Sequence, residues 1–242
     1  MNLQYLKNLA FLNRLKSFKI PTKKVLLSLF GTTIAAGFVY PQTRAKFELY
    51  FQETEENMRR LALCPSIQER LFFPTPYLAY GILQAIYAGH SVHCDPNIQF
   101  TPEIIDLPDG GKVGIHWSTH IEPKGLEQRK AVMIVLPGLT ASAKEPYVKN
   151  LVSEALDHGY EVAVYHNRGN EVEFVYPKTG FYDPIHDFKI AVDHVRAKYP
   201  DHDIFAVGHS FGANTLVNYL GKYKEQHHIK GAASIANPFD FV

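Results

Sequence analysis

Between Asp203 and Tyr223 the chain passes from an apolar strand through "GHSFG" into an amphipathic helix with no residues to spare. Ile204 to Val207 read as a buried strand, and Ala213, Leu216, Val217 and Leu220 recur at the spacing of one helix face. A strand that reverses into a helix over so short a turn strains its central residue and brings two backbones together. Gly208 and Gly212 then have no room for side chains, and Ser210 is lifted clear of the sheet. Its hydroxyl stands at a helix N-terminus, whose free N–H groups and positive dipole end favour developing negative charge. In that setting the backbone N–H of Phe211 is one expected oxyanion donor. The second is expected from the loop after "VMIVLPG", at the N–H of Leu139, with Thr140 beside it. The plainer reading is a glycine-lined turn whose serine caps the helix.

The surrounding residues carry the same alternation. Glu103 to Trp117 is two short apolar runs around Pro-Asp-Gly-Gly, a β-hairpin signal. Ala131 to Gly138 is a continuous apolar run ended by Pro and Gly, as a buried parallel strand requires. Glu145-Pro146 opens a helix with Val148, Leu151, Val152 and Ala155 on one face, and Gly159 closes it. Tyr160 to His166 is the next strand. Asp183-Pro184 opens a second helix, with Phe188, Ala191, Val192 and Val195 as its apolar face, stopped at Tyr199-Pro200. The strand, elbow and helix described above follow, and then the strand Lys230 to Asn237. Strands and helices in strict turn predict an α/β fold, a mostly parallel sheet with helices on both faces.

The N-terminal part is of another kind. Met1 to Phe47 holds eight Lys or Arg and no acid, the first carboxylate being Glu48. Residues 1–24 form a basic segment in which Leu3, Leu6, Leu9, Leu12, Leu15 and Phe18 make an apolar stripe. Val25 to Thr43 is free of charge for 19 residues. As a helix it would span roughly 28 Å, enough to cross a hydrocarbon core. A single-pass N-terminal membrane anchor with the basic end on the cytosolic or matrix side is expected. A mitochondrial presequence and a buried soluble helix are the competing readings. Residues 44–96 are a connecting segment, with Arg44 to Arg60 expected to be a solvated helix and Cys64 to Val92 alternating prolines with aromatic and aliphatic residues. Residues 97–242 form the α/β domain.

Lys and Arg number 25 against 24 Asp and Glu, a net charge of +1, and no basic stripe interleaved with aromatics occurs. Nucleic acid is therefore not an expected partner. Cys64 and Cys94 fit neither a disulfide framework nor a CxxC metal pair and read as free thiols.

Four stretches in consistent order, "LPGLT" at Leu136, "YHNRG" at Tyr165, "GHSFGANTLVNYLG" at Gly208 and "NPFD" at Asn237, resemble the α/β-hydrolase superfamily. The likeness is closest to its abhydrolase-domain esterases and phospholipases, whose animal members are membrane-anchored. It runs from about Asn97 to Val242. The resemblance implies serine esterase chemistry at Ser210 on a lipid or other acyl ester, with no metal and no organic cofactor. A place at the endoplasmic reticulum or mitochondrial membrane goes with the expected anchor.

In that superfamily the acid and the histidine of the triad follow the nucleophile, on loops after later strands. After Lys230 to Asn237 only a few residues remain, so neither maps onto this sequence, and the last strands of the fold are expected to be missing. Asp201, His202 and Asp203 precede the nucleophile strand, roughly 23 Å from Ser210. His186 and His194 belong to a helix and read as surface or satisfied residues. His166 ends a strand at the correct edge but two strands away, His209 reads as a pocket wall, and Asp240 belongs to "NPFD". The expected outcome is a hydrolase inert on its own, whose last strand is an open edge for a protein partner to cover. The alternative is a non-catalytic hydrolase-like subunit of a membrane-associated complex.

Overall fold

The computed structural model describes residues 31, 45–46, 48–68, 71–72, 75, 78, 80–91, 96–122, 125, 127–173, 179 and 182–239. They fall into two compact units, Met1–His90 and Ser91–Val242.

The second unit is a six-stranded sheet. Its strands are β1 (Ile98–Asp106), β2 (Lys112–His120), β3 (Ala131–Leu136), β4 (Glu161–His166), β5 (Asp203–His209) and β6 (Ile229–Ile235), in the spatial order β1-β2-β4-β3-β5-β6. β1 and β2 form the expected hairpin, paired from Ile98 opposite His120 to Asp106 opposite Lys112. Gly110, at φ 82, turns it, and the Leu107 N–H closes it onto the Gly111 carbonyl. β2 runs antiparallel to β4, while β4, β3, β5 and β6 are mutually parallel. The sheet is therefore mostly parallel, and the crossover from β3 to β4 and back past β3 to β5 places the strand ends that matter side by side.

Two of the helices that pack on the sheet start where their proline and acidic residue point. α1 is Pro146–Asp157 with Glu145 as its N-cap, and Gly159, at φ 78, follows its end. α2 is Pro184–Lys198, where the Asp183 side chain accepts the His186 N–H. α3 is Phe211–Tyr223. Alternate residues of the strands feed two cores, which is why the central strands read as unbroken apolar runs. Val132, Ile134, Leu136, Ala163 and Tyr165 pack with Phe188, Val192, Leu216 and Tyr219 of α2 and α3. Val135, Val162 and Val164 pack on the other face with Val148, Val152 and Ala155 of α1. Each buried Val, Leu, Ile or Phe among them contributes about 1.5–3 kcal/mol of transfer free energy.

The inner face of α3 differs from the expected one. Ala213 and Leu216 are buried, but Thr215 and Tyr219 take the places assigned to Val217 and Leu220, which are only partly covered. Tyr219 is drawn inward by Phe188, its ring centroid 5.1 Å away, and Thr215 satisfies its hydroxyl on the Phe211 carbonyl at 3.1 Å. β6 is an edge strand, and Ala232, Ala233, Ser234 and Ile235 along it are exposed.

In the first unit, Ala45–Lys46 pairs antiparallel with Leu71–Phe72. A helix covers Glu55–Ala62, so the continuous helix expected from Arg44 to Arg60 is not formed. Thr54 explains the boundary, because its hydroxyl accepts the Asn57 N–H and fixes the helix start there. Short helices at Pro65–Gln68 and Gly81–Ser91 follow. Cys64 is a free thiol, while Cys94 lies outside the described residues. The segment 1–24 and the run Val25 to Thr43, Gly31 excepted, also lie outside them. Among the described residues no helix is long and apolar enough to cross a membrane.

Candidate active site

Four residues outside glycine with φ between 50° and 59° gather in the loops after β3, β4, β5 and β6: Thr140, Glu171, Ser210 and Ala236. Such conformations cost of order 1–3 kcal/mol each and persist where the surroundings enforce them. Ser210 has φ 51 and ψ −116 and is the N-cap of α3, yet its side chain makes no capping bond. The hydroxyl is thus not spent on the helix, which sets aside the reading of Ser210 as a cap. Its backbone is held from both sides: the Ser210 N–H donates to the Ile235 carbonyl at 3.0 Å, and its carbonyl accepts the Asn214 N–H at 3.0 Å. The residue itself is exposed.

Sterics enforce this turn. A Cβ on Gly208 would stand 2.6 Å from Ala213 Cα, and one on Gly212 would stand 2.3 Å from the Leu136 carbonyl oxygen. Both obstacles are backbone, so neither glycine can be replaced without moving β3, β5 or α3.

The "LPGLT" loop lies directly against the elbow. A Cβ on Gly138 would sit 3.5 Å from Ser210 Cβ and 3.7 Å from Tyr147 Oη. Three side chains pin this loop by its backbone. Gly138 N–H donates to Tyr147 Oη at 3.0 Å, Asn170 Nδ2 donates to the Ala141 carbonyl at 2.5 Å, and Ala143 N–H donates to His166 Nε2 at 3.0 Å. Gly138 N–H is therefore committed, and a donor from this loop has to come from Leu139 onward, where the chain crests at Thr140 and Leu139 stands half exposed. Tyr147 also touches the elbow, its ring centroid 4.9 Å from that of His209.

Of the other candidates named from the sequence, His166, His194 and Asp203 are engaged elsewhere. His166 is fully buried two strands from β5, and burial together with the neighbouring His116 ring, 4.1 Å away, lowers its pKa to about 3. It is a neutral acceptor for Ala143. His209 is half-buried, and that burial lowers its pKa. His194 Nε2 lies 2.9 Å from Glu103 Oε1, and Asp203, at the start of β5, pairs with Lys230 at 2.6 Å. Asp240 is outside the described residues. Among the described residues no group of His, Cys, Asp and Glu could hold a metal ion.

Sequence reasoning missed Tyr147, Asn170 and Arg168. Arg168 is 8% exposed and reaches Asp187 of α2 through two 2.6 Å bonds and Asp109 of the β1–β2 turn at 2.8 and 3.0 Å. These charge-assisted bonds keep its pKa raised and lock the segment that carries Asn170. A Cβ on Gly111 would collide with this guanidinium at 2.3 Å. The signal was present as the "NRG" of "YHNRG", but a surface loop and a buried clamp share that spelling.

Residues 131–241 match the family described as the alpha/beta hydrolase fold. Protein abhd-3.2 of Caenorhabditis elegans is 28% identical over 89% of this chain and 54% of its own length. Phospholipase ABHD3 of Homo sapiens is 27% identical over 86% of this chain and 51% of its own. Embryogenesis-associated protein EMB8 of Picea glauca is 33% identical over 69% of this chain and 38% of its own. The chain spans about half the length, or less, of these relatives. With the sheet order and the elbow above, residues 131–241 carry the α/β-hydrolase fold.

Proposed function

We propose that this α/β-hydrolase carries the nucleophile and oxyanion half of a serine esterase acting on a lipid or another acyl ester. Ser210 is the nucleophile, and the N–H groups of Leu139 and Phe211 receive the charge that develops on the carbonyl oxygen. The observation that carries this reading is an exposed serine at φ 51, at the start of α3, free of any capping bond and set against the Gly138 loop. The similarity to a phospholipase supports the lipid or acyl-ester class. No organic cofactor or metal enters the scheme.

His166 is committed to Ala143, and His209 packs against Tyr147. The general base and its acid partner are accordingly assigned to groups beyond the described residues, which the protein in its native membrane is expected to supply, and a preparation that lacks them is expected to be nearly inert. The charge-free run Val25 to Thr43 behind a basic segment supports a single-pass anchor in the endoplasmic reticulum or mitochondrial membrane. The exposed Ile82, Leu83, Ile86 and Tyr87 of Gly81–Ser91 are in keeping with a lipid surface. A second reading, a non-catalytic hydrolase-like subunit, is favoured by one observation: the open outer row of β6, which a protein partner could cover.

The deciding experiment is fluorophosphonate labelling of the full chain purified from its native membrane, with the modified peptide mapped by mass spectrometry. Labelling at Ser210 that disappears in Ser210→Ala is expected. An unlabelled Ser210 in that preparation selects the non-catalytic subunit.

A further inference from the structure

The Tyr147 phenol has a proton to give and lies beside the turn that carries Ser210. A phenol has one proton to give and two lone pairs. One lone pair takes the Gly138 N–H at 3.0 Å, and among the described residues nothing accepts the phenol's own proton. The bare face of Gly138 leaves a gap one atom wide, bordered by Ser210 Cβ at 3.5 Å, by Tyr147 Oη at 3.7 Å and by the His209 carbonyl oxygen at 3.8 Å. An oxygen on a carbon under attack by Ser210 that occupied this gap would lie between the serine and the phenol. The ring is held from behind by His209, and Tyr147 keeps 38% of its surface exposed, so the hydroxyl is fixed yet reachable.

We propose that Tyr147 is a further catalytic residue, whose hydroxyl donates a hydrogen bond to the oxyanion formed at Ser210. As the Oγ–C bond forms, the carbonyl π pair moves onto oxygen and the serine proton leaves to the base or to water. Tyr147 meets the new charge while still holding the loop through Gly138. Burial raises its pKa, so the donor is protonated at neutral pH. This inference rests on Ser210 being the nucleophile.

The test uses the same fluorophosphonate on the full chain, where Oγ displaces fluoride at phosphorus and the phosphoryl oxygen takes the developing charge. Tyr147→Phe is expected to slow labelling about a hundredfold, the cost of one oxyanion donor. Because that change also removes the acceptor for Gly138, 3-fluorotyrosine is placed at position 147 in a second protein. Fluorine makes the phenol a stronger donor and a weaker acceptor, so below its ionisation a donor to the oxyanion speeds labelling, whereas a mere anchor for Gly138 slows it or leaves it unchanged. Unaltered protein that labels, with a fluorinated form no faster, overturns the role of Tyr147 alone. Unaltered protein that does not label overturns the nucleophile reading and this inference with it.

Discussion

The two turns that meet at Ser210 are held in opposite ways. The elbow after β5 is held by absence: Gly208 and Gly212 let β3, β5 and α3 approach until no Cβ fits between them. The loop after β3 is held by presence, through Tyr147, Asn170 and His166, which grip the backbone of Gly138, Ala141 and Ala143. A turn set by sterics is all or none, since moving it means separating packed elements. A turn set by three hydrogen bonds loosens by steps, each bond contributing about 0.5–1.5 kcal/mol.

The comparison breaks hardest at Arg168. Arg168→Ala strands Asp187, 2% exposed, without its cation, which should cost about 3–5 kcal/mol in denaturant unfolding. Hydrogen exchange should speed first at Ala143 and in the loop, because the segment bearing His166 and Asn170 loses its anchor, while the Ser210 N–H stays protected. Equal loss at both turns would show that they are one unit. Gly212→Ala is the converse and should cost about 3 kcal/mol, since the clash is with the Leu136 carbonyl rather than a flexible side chain. Gly221→Ala, with nothing within 4 Å of its Cβ, should stabilise α3 by about 0.5–1 kcal/mol. A similar outcome for both glycines would remove the steric account of the elbow.

The last effect is one of pH, and it is spread over several pH units. Folded His166 stays neutral down to about pH 3, whereas an unfolded histidine takes its proton near 6.5. Between these values the unfolded chain binds more protons, so the folded state loses stability as pH falls, by up to about 1.4 kcal/mol per pH unit from this residue. Full stability is retained above the unfolded value. Urea midpoints across that window should fall less steeply in His166→Gln, and an unchanged slope would mean that the imidazole is not held neutral. His116 and His209, also lowered by burial, add slope of the same sign.

This contrast also explains what could be read from the sequence. The elbow is written in five consecutive residues, because the reversal from strand to helix is itself local even though Gly212 also makes room for the Leu136 backbone of β3, and the position of Ser210 at the end of β5 followed directly. Strands and helices were legible for the same reason, their apolar periods being local. The loop's tethers lie 9, 29 and 23 residues away from the atoms they hold, and no local pattern announces them. The Arg168 clamp joins residues 59 apart. On α3 the period gave the right helix but the wrong boundary to its buried face. Tyr219 is apolar over most of its surface, and its depth depends on Phe188 of another helix. In the first unit, the charged character of residues 44–60 shows a solvated helix but not where it begins, which the Thr54 cap decides.

The outer row of β6 has a consequence for how any strand could join it. Its exposed members, Ala232, Ala233, Ser234 and Ile235, are mostly small, and Lys230, the single charge in the strand, is already tied to Asp203. Backbone hydrogen bonding there would be as good at one offset as at another two residues along, because nothing large or charged distinguishes the alternatives. A neighbour that docks in one alignment must therefore bring its own ruler, in the form of contacts outside the strand. Without one, copies meeting along this border would form a ladder of slipped pairs instead of a single dimer.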